Sequence, residues 1–122
     1  PGSRHYIHAK DVADGMLFLL QNQDKISNLP NDYGGAKCPK FNLVGPVEWD
    51  NLVLAQKIAM SQNKELKYKM VDFHSSRPGH DLRYALDGTL MKELGWEPKV
   101  SIDERISQVV NWTLNNDRWL KL

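Results

Sequence analysis

Arg77-Pro78-Gly79-His80-Asp81-Leu82-Arg83-Tyr84-Ala85-Leu86-Asp87, followed by Glu93-Leu94-Gly95-Trp96-Glu97-Pro98, is the stretch on which the reading of this chain turns. Its first part is polar and holds the Pro78-Gly79 pair, so residues 74–83 are expected to form a loop or irregular crossing. Asp87 then predicts the start of a short helix, because its carboxylate can accept from a free amide of the first turn. Leu90, Met91 and Leu94 supply the apolar face of that helix. Gly95 suits the left-handed position just past its end.

Downstream, Ser101 and Glu104 match the capping box, in which two side chains satisfy the free amides of a helix start. Ile102, Ile106, Val109, Val110 and Thr113 mark a last helix to about Asn115. Upstream, Leu66, Tyr68 and Met70 alternate with Lys67 and Lys69, the period of a half-buried strand. Asp50 or Asn51 can cap a helix running to about Gln62, with Leu52, Ala55, Ile58 and Ala59 facing inward. Lys40 to Val44 predicts a short strand ended by Gly45-Pro46. Residues 28–39 are rich in Pro, Gly and Asn and predict a loop. Asp11 is the expected cap of a first helix to Gln21, carrying Val12, Ala13, Met16, Leu17, Leu19 and Leu20. Tyr6 to Ala9 predicts a strand or an extended approach to it. The order helix, strand, helix, strand, helix, helix describes an α/β (α+β-like) small domain over residues 1–122. Helices pack on a few short strands, too few for a complete doubly wound sheet.

The chain has 122 residues, 41% hydrophobic and 25% charged, which suits one small domain with a core. Its net charge of +1, from 16 basic and 15 acidic residues, argues against a nucleic-acid or membrane-surface binder. The single cysteine, Cys38, allows no internal disulfide and fits a reducing compartment, so cytoplasm is the expected location. No stretch approaches the ~20 apolar residues a spanning helix needs. The abrupt opening Pro1-Gly2-Ser3-Arg4 looks like the middle of a longer protein.

Three segments together resemble the extended short-chain dehydrogenase/reductase family, and most closely its dTDP-glucose 4,6-dehydratase branch. One is Arg4-His5-Tyr6-Ile7-His8-Ala9-Lys10-Asp11-Val12-Ala13, and another is Phe41-Asn42-Leu43-Val44-Gly45 with Glu48 and Asn51. The third is the 77–98 stretch itself. There are two departures. Ser76 stands where the family usually has an acidic residue, and the second glycine of the strand-end pair is replaced by Pro46 or shifted to Gly45. The resemblance implies the C-terminal, substrate-binding portion of a Rossmann-type protein, without the dinucleotide-binding half. It implies NAD as cofactor of the parent enzyme, with none bound to this chain. A nucleotide-sugar and a missing N-terminal cofactor domain are the implied partners. An epimerase of the same family, or a non-catalytic nucleotide- or protein-binding module, are the alternatives.

The resemblance assigns Arg4 and Arg77 to the substrate, where guanidinium groups suit a pyrophosphate through paired, charge-assisted hydrogen bonds. Asn51 matches a family asparagine near the nucleotide, although its amide can also cap a helix. His80 lines the same pocket or orients Arg77. Asp81, placed to pair with an Arg, and Tyr84, among apolar neighbours, have structural roles. Glu48 is ambiguous and is not assigned to catalysis. The 4 histidines suggest no metal site, because His5 and His8 point to opposite faces of extended chain and no Cys or carboxylate cluster joins them. The tryptophans, including Trp96, Trp112 and Trp119, are expected as packing anchors.

The family reaction needs a Gly-rich turn that cradles a dinucleotide, and no Gly-x-x-Gly-x-x-Gly sequence occurs. It also needs a Tyr and a Lys four residues apart on one helix. Tyr6–Lys10 straddles a strand-to-helix junction and Tyr33–Lys37 lies in a Gly-rich loop, so neither qualifies. The chain alone is therefore expected to be inactive. Its uncovered apolar face is expected to drive self-association.

Overall fold

The computed structural model describes residues 2–29, 39–72, 78–79 and 81–121. Arg77, His80, Cys38, the Tyr33–Lys37 pair and most of the expected 28–39 loop lie outside the described residues. In chain order the elements are β1 (Ser3–His5), α1 (Ala9–Gln21), α2 (Gln23–Ser27), β2 (Glu48–Asp50) and α3 (Asn51–Met60). They continue as β3 (Arg83–Tyr84), α4 (Thr89–Glu93) and α5 (Ile102–Leu114), with a 3-10 turn at Asp117–Trp119. This is the small mixed α/β domain expected from the pattern.

β1 is the centre of a three-stranded sheet of order β2-β1-β3. It pairs antiparallel with β2 (Ser3 opposite Asp50, Arg4 opposite Trp49, His5 opposite Glu48). It pairs parallel with β3 (Ser3 opposite Arg83, Arg4 opposite Tyr84). Neither expected strand forms: residues 40–44 and 66–70 have no ladder. A strand needs a neighbour to take its amides and carbonyls. Residues 41–45 are instead anchored by side chains, with Asn42 Nδ2 donating to the Asp87 carbonyl at 2.9 Å. Tyr68 and Met70 lie on exposed chain.

Asp11 does not cap α1. His8, in extended backbone, takes that role: its Nδ1 accepts from the Lys10 amide at 2.9 Å, so the helix starts at Ala9. An accepting Nδ1 requires an unprotonated ring. Burial and the nearby Arg105 charge both push the His8 pKa down. Asp11 is thereby free to turn inward, where it is 5% exposed. Arg105 of α5 donates from Nε to both Asp11 oxygens, at 3.1 and 3.0 Å, and again from Nη2. This buried pair ties the first helix to the last, 94 residues away.

Two apolar clusters complete the fold. Ile102, Ile106 and Val110 of α5 pack against Tyr6, Trp49 and Leu54. Each such side chain contributes about 1.5–3 kcal/mol when removed from water. Met91 and Trp96 form the second cluster, and the Trp96 indole donates to Asp14 at 2.8 Å. α1 approaches them closely because Gly15 has no Cβ, which would lie 2.6 Å from Leu43 and 2.9 Å from the Trp96 ring. The end of α4 is as expected: Gly95 sits at φ 99° and the Trp96 amide returns to the Met91 carbonyl at 2.9 Å. Trp112 and Trp119 are not buried anchors; both are exposed and pair with each other at 6.2 Å.

Candidate functional site

Successive residues of β1 point to opposite faces of the sheet, so the strand divides its side chains into two groups. Arg4 falls on one face with its neighbours Trp49 and Tyr84. Its guanidinium carbon lies 4.7 Å from the centre of the Tyr84 ring, a cation–π contact. Its Nη1 donates to Asn51 Oδ1 at 3.4 Å. Tyr6 Oη donates to the same oxygen at 2.6 Å.

Asn51 is delivered to this point by the helix start. Asp50 caps α3 by accepting from the Val53 amide at 2.8 Å. The Asn51 amide nitrogen donates to the Gly2 carbonyl at 3.1 Å, which fastens the helix to the edge of β1. Since Asp50 is the cap, the Asn51 side chain is released for another task. Two of the four residues assigned to the substrate, Arg4 and Asn51, are therefore adjacent. Arg77 and His80 lie outside the described residues, although the Gly79 between them has a left-handed φ of 79°.

Ser3, His5, Glu48 and Arg83 occupy the opposite face. Arg83 grips Glu48 with two hydrogen bonds, Nε to Oε1 at 2.6 Å and Nη2 to Oε2 at 2.7 Å. Ser3 Oγ adds a third at 2.6 Å. One carboxylate thus links all three strands. These bonds, Arg83 first, lower the Glu48 pKa to about 2 from its ordinary value of 4.5. A depressed carboxylate pKa contributes stability that is fully present above pH 4.5 and lost as pH falls through about 2. Glu48→Gln should therefore unfold more easily than wild type at neutral pH, with the difference shrinking across that acid window. Melting curves recorded at several pH values test this, and a difference that stays constant down to pH 2 would refute it. The expected pairing of Asp81 with an arginine is not made among the described residues. The register of β3 gives Arg83 to Glu48 instead.

The geometry also corrects Tyr84, which is no core residue; its ring is half-exposed beneath Arg4. Tyr6 was legible as part of an extended segment and as half of a Tyr–Lys spacing that was set aside, not as a partner of Asn51. No pattern of spacing could have joined Tyr6, Tyr84 and Asn51, because their proximity depends on the register of strands two and three residues long. Among the described residues, no group of three or more His, Cys, Asp and Glu gathers as a metal centre. No described helix is long and apolar enough to cross a membrane. A separate apolar groove of ≈ 450 Å³ opens between α3 and α5, lined by residues including Tyr6, Ile58, Ile106 and Leu114.

Chemically, the Arg4 face presents donors. Among the described residues, Arg83 and Arg105 are each neutralised by a carboxylate, whereas Arg4 has none. A guanidinium set over an aromatic ring beside a side-chain amide suits an anion with several acceptor oxygens. Fold and site together define a small α/β unit with one sheet face that presents hydrogen-bond donors.

The chain belongs to the GDP-mannose 4,6 dehydratase family, whose family model matches residues 2–109. It is similar to the dTDP-glucose 4,6-dehydratase of Xanthomonas campestris pv. campestris, 34% identical over 89 residues, covering 66% of this chain and 25% of that protein. The dTDP-glucose 4,6-dehydratase of Streptomyces niveus is 36% identical over 117 residues, covering 95% of this chain and 31% of its own length. That of Haemophilus influenzae is 36% identical over 85 residues, with 67% and 25% covered. The chain thus spans 25% to 31% of the length of these curated relatives.

Proposed function

We propose that this chain is the nucleotide-sugar-binding portion of a dTDP-glucose 4,6-dehydratase-type enzyme, and that it holds the diphosphate of the substrate. The observation that carries this reading is Arg4: a cation with no carboxylate partner among the described residues, supported by the Tyr84 ring and adjoining Asn51. The substrate class comes from the relatives, which are dTDP-glucose 4,6-dehydratases. Binding through such groups supplies orientation and part of the binding energy that a complete active site uses at the reacting carbons.

The hydride chemistry lies, on this reading, in the rest of a longer protein. These residues do not fit NAD. They contain no Gly-rich dinucleotide turn. Tyr6 sits outside α1, on which Lys10 lies, and its hydroxyl is committed to Asn51 rather than free to act as a base. The chain alone should convert no dTDP-glucose in the presence of NAD, and appearance of a 4-keto-6-deoxy sugar would contradict this.

Calorimetric titration with dTDP-glucose tests the binding role. A charge-assisted hydrogen bond contributes about 1.5–3 kcal/mol, so Arg4→Met should weaken binding by about 10- to 100-fold. Equal affinity of wild type and variant would remove Arg4 from the site.

A further inference from the structure

Asn51 Oδ1 meets two groups at once, Tyr6 Oη at 2.6 Å and Arg4 Nη1 at 3.4 Å. A hydroxyl can either donate or accept, so Tyr6 alone would leave the amide free to turn over. A guanidinium can only donate. The shared atom must therefore be the oxygen, and the Tyr6 hydroxyl proton must point at it. With its oxygen taken from both sides, Asn51 has only its amino group left to offer. Among the described residues no acceptor meets that group.

We infer that Tyr6 is a specificity-determining positioning residue: its short bond to Oδ1 holds the Asn51 amide in the orientation that the longer contact from Arg4 selects, with Nδ2 outward, and so makes the site beside Arg4 a donor-only patch. This inference rests on the proposed diphosphate-binding role of Arg4 and Asn51. Without the Tyr6 hydroxyl, only the 3.4 Å contact from Arg4 would oppose a turned amide, which would present a carbonyl oxygen to a phosphate oxygen, two acceptors in repulsion. With it, Asn51 discriminates for phosphate oxygens and against ligand groups that donate. Tyr6 can hold this role because its own position is fixed twice. Its ring packs on the Ile102, Ile106 and Val110 cluster, while its hydroxyl reaches out of that cluster to Asn51.

Three variants, titrated with dTDP in the calorimeter, separate this inference from the reading beneath it. Tyr6→Phe keeps the ring packing and removes only the hydroxyl. It should weaken dTDP binding by about 3- to 10-fold, the effect of one hydrogen bond. Asn51→Asp replaces the outward donor by a charged acceptor of the same shape and should lose more than tenfold. Arg4→Met reports on the underlying site. In the free protein, nitrogen-edited NMR should show the Asn51 side-chain amide protons shifting and broadening in Tyr6→Phe, with the melting temperature nearly unchanged. That pattern belongs to reorientation, since a purely structural loss would lower the melting temperature. If Arg4→Met weakens binding while Tyr6→Phe and Asn51→Asp bind as wild type, the positioning role of Tyr6 is wrong and the site stands. If wild type binds no dTDP, or Arg4→Met binds as well as wild type, the reading fails and the positioning role fails with it.

Discussion

Gly45→Ala should strongly destabilise the chain, although it adds one methyl group. A Cβ at this position would lie 1.9 Å from the Tyr6 carbonyl oxygen, 2.6 Å from its carbon and 3.2 Å from the His5 carbonyl carbon. All three are backbone atoms, so no side chain can swing away to make room. The segment just after β1 would have to move, and that segment carries Tyr6 towards Asn51. Gly45 is also bonded here, its carbonyl 3.2 Å from His5 Nδ1. Forced overpacking costs about 1–3 kcal/mol, and rigid backbone neighbours place this case at the upper end, a large share of the ~5–15 kcal/mol that holds a domain together. Urea unfolding followed by circular dichroism should show a lost or strongly lowered midpoint. An unfolding free energy within about 0.5 kcal/mol of wild type would mean that the chain does not pass Tyr6 this closely.

The second large effect is expected at Asp11. Removing one partner of a buried ion pair leaves the other charge without compensation, which is worse than never having buried the pair. Asp11→Ala should therefore destabilise the chain by about 3 kcal/mol. Replacing Asp11 and Arg105 together with Leu and Met should restore much of the loss, because no unpaired charge remains. A double variant as unstable as Asp11→Ala would show that the pair matters through shape rather than charge. Because Asp11 and Arg105 join α1 to α5, the loss should appear in one cooperative transition and not as local fraying.

The two effects mark the border of what the sequence made legible. Helix ends depend on a few neighbouring residues, and these were readable: Ser101 bonds to the Glu104 amide at 3.2 Å, and Gly95 takes the left-handed turn. Asp11 was readable as polar and near a helix start, but not as buried, since its partner is 94 residues away. The strands were misplaced for a related reason. Alternation at Leu66, Tyr68 and Met70 marks a segment able to pair, and pairing needs a neighbour that these described residues lack. The strands that form, at Glu48–Asp50 and Arg83–Tyr84, are too short to show a period. Gly45 was noticed as one glycine where a pair is usual, and the structure supplies its reason, the close passage over Tyr6.

At the candidate site, residue types were legible and relationships were not. Arg4 and Asn51 stood out through the segments in which they occur. Their contact through Oδ1, the ring of Tyr84 under the guanidinium and the hydroxyl of Tyr6 follow from the three-stranded register and from the start of α3 beside it. Glu48, left without a role by its sequence context, is the residue that links those strands from the opposite face.

The central claim is that a nucleotide diphosphate sits on the Arg4 face of the sheet. Titrating the nitrogen-15-labelled chain with dTDP-glucose, while following side-chain and backbone resonances, tests it most directly. The largest shifts are expected at the Arg4 guanidinium and the Asn51 side-chain amide, with smaller ones at Tyr6 and Tyr84. Shifts confined to Ile58, Ile106 and Leu114 around the apolar groove, with Arg4 and Asn51 unmoved, would contradict it.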